Sequence, residues 1–269
     1  MLAFRAGATS RGRARAASLL LTALLVIAGH VRAQTPAPDR VVLKTGEQQV
    51  GKVLGVSNGQ VQLEISTGSA AGRLTFNLAQ ISRVEASAPA AYTAGVAAFE
   101  AGDFDRALAA LKPVAETFRG LPTDWARDAA ALLGDIYLEK KDLARAEAAY
   151  ADYAKVYGGG GGGDSVRTTV SLARLALAKG DAAGARARLE PLAAAALQNP
   201  LKASSAEAAA YGQVFLLLGR QQEAAGDWPA ALTSYLRTVT LFYRDRAAVA
   251  AAQKAADALR AVHPGVIAP

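Results

Sequence analysis

Four segments in the C-terminal two thirds of the chain repeat one spacing of small, turn-forming and large apolar residues. In each, a small residue is followed seven positions later by Gly or Lys and then Asp. An alanine stands five positions after that Gly or Lys, and a large apolar residue stands four further on. The four sets are Gly95, Gly102-Asp103, Ala107 and Leu111; Gly134, Lys141-Asp142, Ala146 and Tyr150; Ala173, Gly180-Asp181, Ala185 and Leu189; and Gly219, Gly226-Asp227, Ala231 and Tyr235. Four copies in register predict a stack of similar units, each of which buries its apolar face against its neighbours.

The chemistry of these residues predicts a helix hairpin in each copy. The turn glycine can adopt the left-handed conformation that ends a first helix, and the Asp after it can cap the amides that begin a second helix. Positions such as Gly134 and Ala146 stay small where two helices cross closely, and we expect Tyr150 and Tyr235 to fill the space between hairpins. Residues 245–262 have the amphipathic pattern of a final helix that covers the last repeat.

This pattern resembles the tetratricopeptide repeat family over residues 90–262. The second copy is the most similar and carries Leu133, Gly134, Tyr137, Ala146 and Tyr150. The spacings between turns are 39, 39 and 46 residues, longer than the repeat of about 34 residues in the family, which implies longer helices or loops. Pro113 and Pro191 each stand eleven positions after a turn glycine, where we expect them to kink or end a second helix.

The resemblance implies that the first helices of successive hairpins line a concave groove for peptides or protein segments. We call these residues the first-helix groove: Tyr92, Val96, Phe99, Glu100, Asp135, Leu138, Glu139, Arg167, Arg174, Leu216, Arg220 and Glu223, with Asp128, Ala131, Val170, Ala178 and Gln213 beside them. Its charges run from acidic to basic, which would orient an extended peptide. We expect Arg174 and Arg220 to bind carboxylates, and Tyr92 and Phe99 to offer apolar area. The alternative is a solvated helix face.

Ahead of the helices, residues 40–86 alternate apolar and polar side chains, as at Val61, Leu63 and Ile65. A period of two gives a strand one buried and one solvated face, and glycine-containing turns separate the runs. We predict strands at residues 41–44, 48–56, 60–66, 73–77 and 82–86 that form a small antiparallel β-barrel.

The run over residues 42–54 resembles the opening of Sm-like and SH3-like small barrels, in which a Leu-Lys-x-Gly turn precedes a glycine-containing second strand. Sm-like proteins commonly bind RNA. Here the charges are mixed and the only aromatic residue, Phe76, falls on the apolar face, whereas proteins that bind single strands use aromatic platforms in a basic groove. We expect no nucleic-acid binding, and an Sm-like RNA-binding module fused to the repeats is the alternative function.

The first 33 residues have the pattern of an export signal. They hold five arginines and no acidic residue, an apolar run at residues 16–29, and small residues that mark cleavage after Ala33. As a helix the run would span about 21 Å, less than the roughly 30 Å of a hydrocarbon core, so we expect no membrane anchor after cleavage. The chain carries a net charge of +7, but without these five arginines 25 basic residues stand against 23 acidic ones. Net charge therefore gives no argument for nucleic acid.

Six consecutive glycines occupy residues 158–163. We interpret residues 158–164 as a joint between the second and third repeats. A phosphate-binding loop is the alternative, but no Gly-Lys-Ser or Gly-Lys-Thr follows.

The residue inventory argues against catalysis. The chain has no cysteine, which excludes disulfides, thiolate zinc sites and thiol nucleophiles. Of its two histidines, His30 lies in the export signal and His263 near the C-terminus, poor places for a catalytic triad or a metal cluster. Asp135 and Glu139 share one helix face, and we interpret them as surface charges. We expect no enzyme activity, cofactor or metal.

These expectations combine into one hypothesis. The chain is divided into an export signal at 1–33, a linker at 34–39, a small β domain at 40–86, two repeats at 87–157, the joint at 158–164, two repeats with a capping helix at 165–262, and a tail at 263–269. The predicted function is an exported, non-catalytic scaffold that binds protein partners in the periplasm or outside the cell, in envelope assembly or cell division. A homo-oligomer is compatible with this hypothesis.

Overall fold

A computed structural model describes residues 37–67, 70–158 and 163–268 of the chain. Across these ranges, five antiparallel strands precede nine α-helices. The prediction of a mainly helical protein that begins with a small antiparallel sheet is therefore confirmed. The export signal predicted at 1–33 and four glycines of the predicted joint, residues 159–162, lie outside the described residues.

The strands form one sheet in the order β4-β3-β2-β1-β5. Their bounds are Asp39–Leu43 (β1), Gln48–Ser57 (β2), Gln60–Thr67 (β3), Ala70–Asn77 (β4) and Ile81–Glu85 (β5). The first half of β2 pairs with β1 up to Gly51, and the second half pairs with β3 from Lys52 onward, so β2 is shared by two ladders. A register shift lies between Val53 and Gly55, and Gly55 has φ +153°, a conformation that favours glycine. β1 begins at Asp39, the last residue of the predicted linker.

The apolar face of the sheet packs against the helical part of the chain. Val41, Val61 and Leu63 are fully buried and form one cluster with Leu121 and Ala126. In the same region, the indole Nε1 of Trp125 donates a hydrogen bond of 2.9 Å to the carbonyl oxygen of Ala86. The strands and the first helices therefore share one core.

The helices follow one another in packed pairs. Their bounds are Ala90–Glu100 (α1), Phe104–Thr117 (α2), Asp124–Glu139 (α3), Leu143–Tyr157 (α4), Gly163–Ala178 (α5), Ala182–Gln198 (α6), Ser205–Ala224 (α7), Trp228–Thr240 (α8) and Arg246–Val262 (α9). α1 packs with α2, α3 with α4, α5 with α6 and α7 with α8, while α9 packs on α7 and α8. α5 begins at Gly163, so the last two residues of the predicted joint belong to a helix.

The four predicted turns have the expected chemistry. Gly102, Gly180 and Gly226 have φ of +77°, +81° and +78°, and Lys141 at the equivalent position has φ +60°. The Asp that follows each turn residue caps the next helix: the side chains of Asp103, Asp142, Asp181 and Asp227 accept hydrogen bonds from backbone amides three residues later, at 2.7 to 3.2 Å. Both predictions are confirmed.

The small residues of the repeat lie where two helices of one hairpin meet. A Cβ atom at Gly95 would stand 2.5 Å from Cγ of Leu111, and one at Gly219 would stand 2.5 Å from Cε1 of Tyr235. Gly134 is in the same relation to Tyr150. The large residues also reach the next hairpin, as we expected: Tyr150 forms one cluster with Leu172 and Leu175 of α5, and Leu111 forms one with Ala129 and Leu132 of α3.

Pro113 and Pro191 end neither helix. α2 continues to Thr117 and α6 to Gln198, so of the two predicted effects, a kink or an end of the second helix, the end does not occur. Each proline removes one backbone hydrogen bond, but buried side chains on both sides of it, such as Leu111 and Val114 around Pro113, keep the helix packed.

Candidate functional site

The predicted first-helix groove is spread over four helices. Tyr92, Val96, Phe99 and Glu100 lie on α1; Asp135, Leu138 and Glu139 lie on α3; Arg167 and Arg174 lie on α5; and Leu216, Arg220 and Glu223 lie on α7. These are the first helices of the four hairpins.

Ion pairs join α3 to α5 across the face that we predicted as a polarised groove. Nη2 of Arg167 lies 2.8 Å from Oδ1 of Asp128. Nη1 of Arg174 lies 2.5 Å from Oδ1 of Asp135, and its Nη2 lies 3.2 Å from Oε1 of Glu139. The acidic and basic residues therefore face each other on neighbouring helices, and the carboxylates that Arg174 binds belong to its own chain.

Two tyrosines form hydrogen bonds to the aspartates of these ion pairs. The hydroxyl of Tyr92 donates to Oδ2 of Asp128 at 2.8 Å, and the hydroxyl of Tyr150 donates to Oδ1 of Asp135 at 2.7 Å. Burial and the adjacent carboxylates raise the pKa of both tyrosines well above the ordinary value. The hydroxyls therefore stay protonated and act as donors.

The arginines of these ion pairs stay charged. Burial has the largest single effect on the pKa of Arg174 and would lower it. Asp135, Tyr150 and Glu139 together outweigh burial, so the pKa lies above its ordinary value. The side chain of Asp135 is only 14% exposed and that of Arg174 only 25%. Asp135 is therefore part of a half-buried network, and our interpretation of it as a surface charge is wrong. Such a network holds α3 and α5 in register.

A concave pocket of about 220 Å³ lies one helix further along, between α5, α7 and the start of α9. We call it the groove pocket. Its lining residues are Arg174, Gln213, Leu216, Leu217, Arg220, Asp245, Ala247 and Ala248. Four of these eight, Arg174, Gln213, Leu216 and Arg220, were predicted for the first-helix groove.

Gln213 and Asp245 fix the polar side of the groove pocket. Nε2 of Gln213 donates to Oδ2 of Asp245 at 2.7 Å, and Oδ1 of Asp245 accepts from the amide of Ala248 at 3.0 Å as the N-cap of α9. Both carboxylate oxygens of Asp245 therefore already accept hydrogen bonds within the chain.

Arg220 differs from the other arginines of the first helices. It is exposed at the rim of the groove pocket, and within the described part of the chain no carboxylate oxygen lies within 4.0 Å of it. The buried side chains of Leu216 and Leu217 lie beside it. A guanidinium next to an apolar floor suits a carboxylate that carries an apolar neighbour.

The remaining predicted residues lie away from the groove pocket. Tyr92 and Phe99 are half-buried among aromatic neighbours: the Tyr92 ring centroid lies 6.4 Å from that of Trp125, and the Phe99 centroid lies 5.8 Å from that of Phe104. They do not offer the open apolar area that we expected. Glu223 accepts a hydrogen bond from the hydroxyl of Tyr235 at 2.5 Å.

Four residues of the groove pocket were missed: Leu217 on α7, and Asp245, Ala247 and Ala248 at the start of α9. We predicted α9 only as a cover for the last repeat. In the fold, α9 occupies the place that the first helix of a fifth hairpin would have. Its first turn therefore continues the row formed by α3, α5 and α7. The order of elements in the sequence contained this signal.

Phe76, which we predicted on the apolar face of the sheet and counted against RNA binding, is half-buried and packs into the cluster of the β part. Over residues 37–67, 70–158 and 163–268, no three His, Cys, Asp or Glu side chains come together in a way that could hold a metal ion. No helix in those ranges has the length and apolar character needed to cross a lipid bilayer.

Comparison of the chain with models of known protein families, with curated proteins and with solved structures finds no match.

Proposed function

We propose that this chain is an exported, non-catalytic scaffold that binds a segment of a partner protein in the groove pocket, in envelope assembly or cell division. The observation that carries the proposal is Arg220, a rim guanidinium without an ion pair in the described part of the chain, above the apolar floor of Leu216 and Leu217. Arginine in such a position favours a carboxylate, which a protein segment supplies from Asp, Glu or its C-terminus.

The size of the groove pocket supports a protein segment over a small-molecule substrate. At about 220 Å³ it is smaller than the roughly 300 to 1,000 Å³ of ordinary ligand sites. It is large enough for one or two side chains of an extended segment, whose remainder would lie along the exposed face beside it.

We infer that the helical part is a solenoid of the tetratricopeptide type. Four hairpins with the same turn and cap, and a ninth helix against the last of them, support this inference. For the β part we infer a small barrel of the Sm-like or SH3-like kind, supported by the sheet order and by the sharing of β2 between two ladders. The export signal at 1–33 and the periplasmic or secreted location remain proposals from the sequence.

Photocrosslinking in cells tests the binding proposal. Ala247, which is exposed and lines the groove pocket, is replaced by benzoylphenylalanine, and adducts are identified by mass spectrometry. We expect a discrete adduct that Arg220→Glu removes. The matched control is Lys254→Glu, an exposed charge reversal on α9 away from the groove pocket. An adduct that persists with Arg220→Glu would contradict the proposal.

A separate measurement tests the location. N-terminal sequencing of the protein from the envelope fraction should find Gln34 as the first residue. A chain that retains residues 1–33 and stays in the cytosol would instead favour the Sm-like alternative.

A further inference from the structure

Exposed apolar side chains concentrate at the C-terminal ends of two helices, α6 and α8. Within the described ranges seven large apolar side chains are exposed, and four of them, Leu197, Leu201, Leu241 and Tyr243, stand at or just beyond the C-terminal ends of α6 and α8. Leu201 is 97% exposed and lies in a short 3-10 helix, Pro200–Lys202. Single exposed apolar residues are ordinary, but several at one edge indicate an interaction surface.

The two loops that carry these side chains are fixed by the same buried cluster. Ala203 and Phe242 both pack in the cluster that contains Phe215. The ring centroid of Phe242 lies 5.2 Å from that of Phe215 in a stacked pair and 5.6 Å from that of Tyr211. The neighbouring side chains at 201, 241 and 243 therefore project from a supported edge.

Basic residues adjoin this apolar set in the sequence. Lys202, Arg244 and Arg246 are exposed, and the guanidinium of Arg244 lies 5.4 Å from the ring centroid of Tyr243. Two carboxylates near these loops accept hydrogen bonds at helix N-termini: Glu207, in the first turn of α7, accepts from the amide of Ser204 at 2.9 Å, and Asp245 accepts from Ala248 and Gln213. We call Leu197, Leu201, Lys202, Leu241, Tyr243, Arg244 and Arg246 the loop edge.

We propose that the loop edge binds the surface of an anionic phospholipid bilayer. Leu201 and Tyr243 enter the boundary between headgroups and acyl chains, a depth that suits an aliphatic side chain and a tyrosine. Lys202, Arg244 and Arg246 lie at the level of the lipid phosphates, where each basic side chain strengthens binding to a negative surface. The loop edge adjoins the groove pocket, because Arg244 and Arg246 flank Asp245, but the two share no residue. The inference does not depend on the proposed function.

A single-cysteine probe tests the inference on the full chain, which has no cysteine of its own. Leu201→Cys is labelled with nitrobenzoxadiazole and mixed with vesicles of phosphatidylglycerol or of phosphatidylcholine. The control is Val262→Cys with the same label, at an exposed position about 24 Å from Arg246 along α9. Comparing the two positions separates insertion of the loop edge from any membrane contact of residues 1–33.

The expected result is a blue-shifted emission at position 201, quenched by nitroxide lipids, with phosphatidylglycerol and not with phosphatidylcholine. The label at 262 should keep its aqueous emission. Lys202→Glu with Arg244→Glu should weaken vesicle binding of the 201-labelled protein at least about tenfold, with circular dichroism unchanged. An aqueous emission at 201, or an equal response to both lipids, overturns the proposal.

Discussion

The ring of Tyr150 lies directly against Gly134, sixteen positions earlier in the chain and on the facing helix of the same hairpin. The same relation joins Tyr235 to Gly219, with Cε1 of the ring 2.5 Å from where a Cβ atom would stand. In the third hairpin the equivalent positions are Ala173 and Leu189, and both are fully buried. The size of one residue at the crossing therefore sets the size allowed at the other.

We predict that Gly134→Ala destabilises the protein. The added methyl group would overlap the buried ring of Tyr150, and relief requires a shift of packed helices, at about 1 to 3 kcal/mol. Urea denaturation followed by circular dichroism measures the change in the free energy of unfolding.

The double variant Gly134→Ala with Tyr150→Leu is the matched control, because it copies the pair that the third hairpin already uses. It should recover part of the loss, although the hydrogen bond from Tyr150 to Asp135 is absent. A double variant less stable than Gly134→Ala alone would argue against this account of the crossing.

Lys141→Gly should raise stability. Lys141 has φ +60° at a turn where the other three copies have glycine, and a left-handed conformation is unfavourable for a residue with a Cβ atom by about 1 kcal/mol. Thermal unfolding should show the gain. Lys141→Ala removes the same side chain but keeps the strained backbone, so an equal gain in that variant would refute the explanation.

Arg174→Gln should reduce stability more than loss of an exposed ion pair does. Asp135 would keep its bond from Tyr150 but lose its charged partner in a site where it is 14% exposed, at about 1 to 3 kcal/mol. Arg186→Gln, which breaks the exposed pair with Glu190, should change the free energy of unfolding by less than about 0.5 kcal/mol. Equal effects of the two substitutions would contradict a structural role for Arg174. Charge reversal at Arg174 would therefore alter folding as well as binding, and Arg220 is the better position for a binding variant.

The pair between Arg119 and Asp152 predicts a pH dependence. Nη2 of Arg119 lies 2.6 Å from Oδ1 of Asp152, and the hydrogen bonds from Arg119 hold the pKa of Asp152 below its ordinary value of 3.8. A carboxyl group whose pKa is lower in the folded state stabilises the fold above its unfolded pKa, and this contribution is lost as the pH falls through the folded value. Both side chains are about half exposed, so the contribution is below about 1 kcal/mol.

Asp152→Asn should therefore lower the free energy of unfolding slightly at pH 7, and the difference from the unsubstituted protein should shrink as the pH falls below about 4. Urea denaturation across this range measures it. A difference that stays constant down to pH 2 would show that the effect does not come from the carboxylate charge.

The local features of the fold could be predicted from sequence because they depend on residues close together in the chain. A glycine followed by an aspartate specifies a turn and a cap, and alternation at Val61, Leu63 and Ile65 specifies a strand with one buried face. The turn at Lys141 could be assigned because the other three copies define its position in the repeat.

The contacts between helices of different hairpins could not be predicted. Whether Arg174 points to an external carboxylate or to Asp135 depends on the register of α3 against α5, which packing sets. The alternation of the strands likewise shows which side chains are apolar, but not that Leu121 and Trp125 cover them. The groove pocket could not be predicted without the position of α9, because Asp245 at the start of that helix forms part of its lining.

The pairs between α3 and α5 have a consequence for how this chain tolerates change. They join residues on either side of the glycine run at 158–163, so the register of the third hairpin is set by Asp128, Asp135 and their arginines and not by the length of the connection. Insertion or deletion of one glycine in this run should leave the fold unchanged. The same change at the tight turn around Lys141 would shift every later residue of its hairpin by one position. Natural insertions and deletions should therefore be more frequent in the glycine run than in the turns.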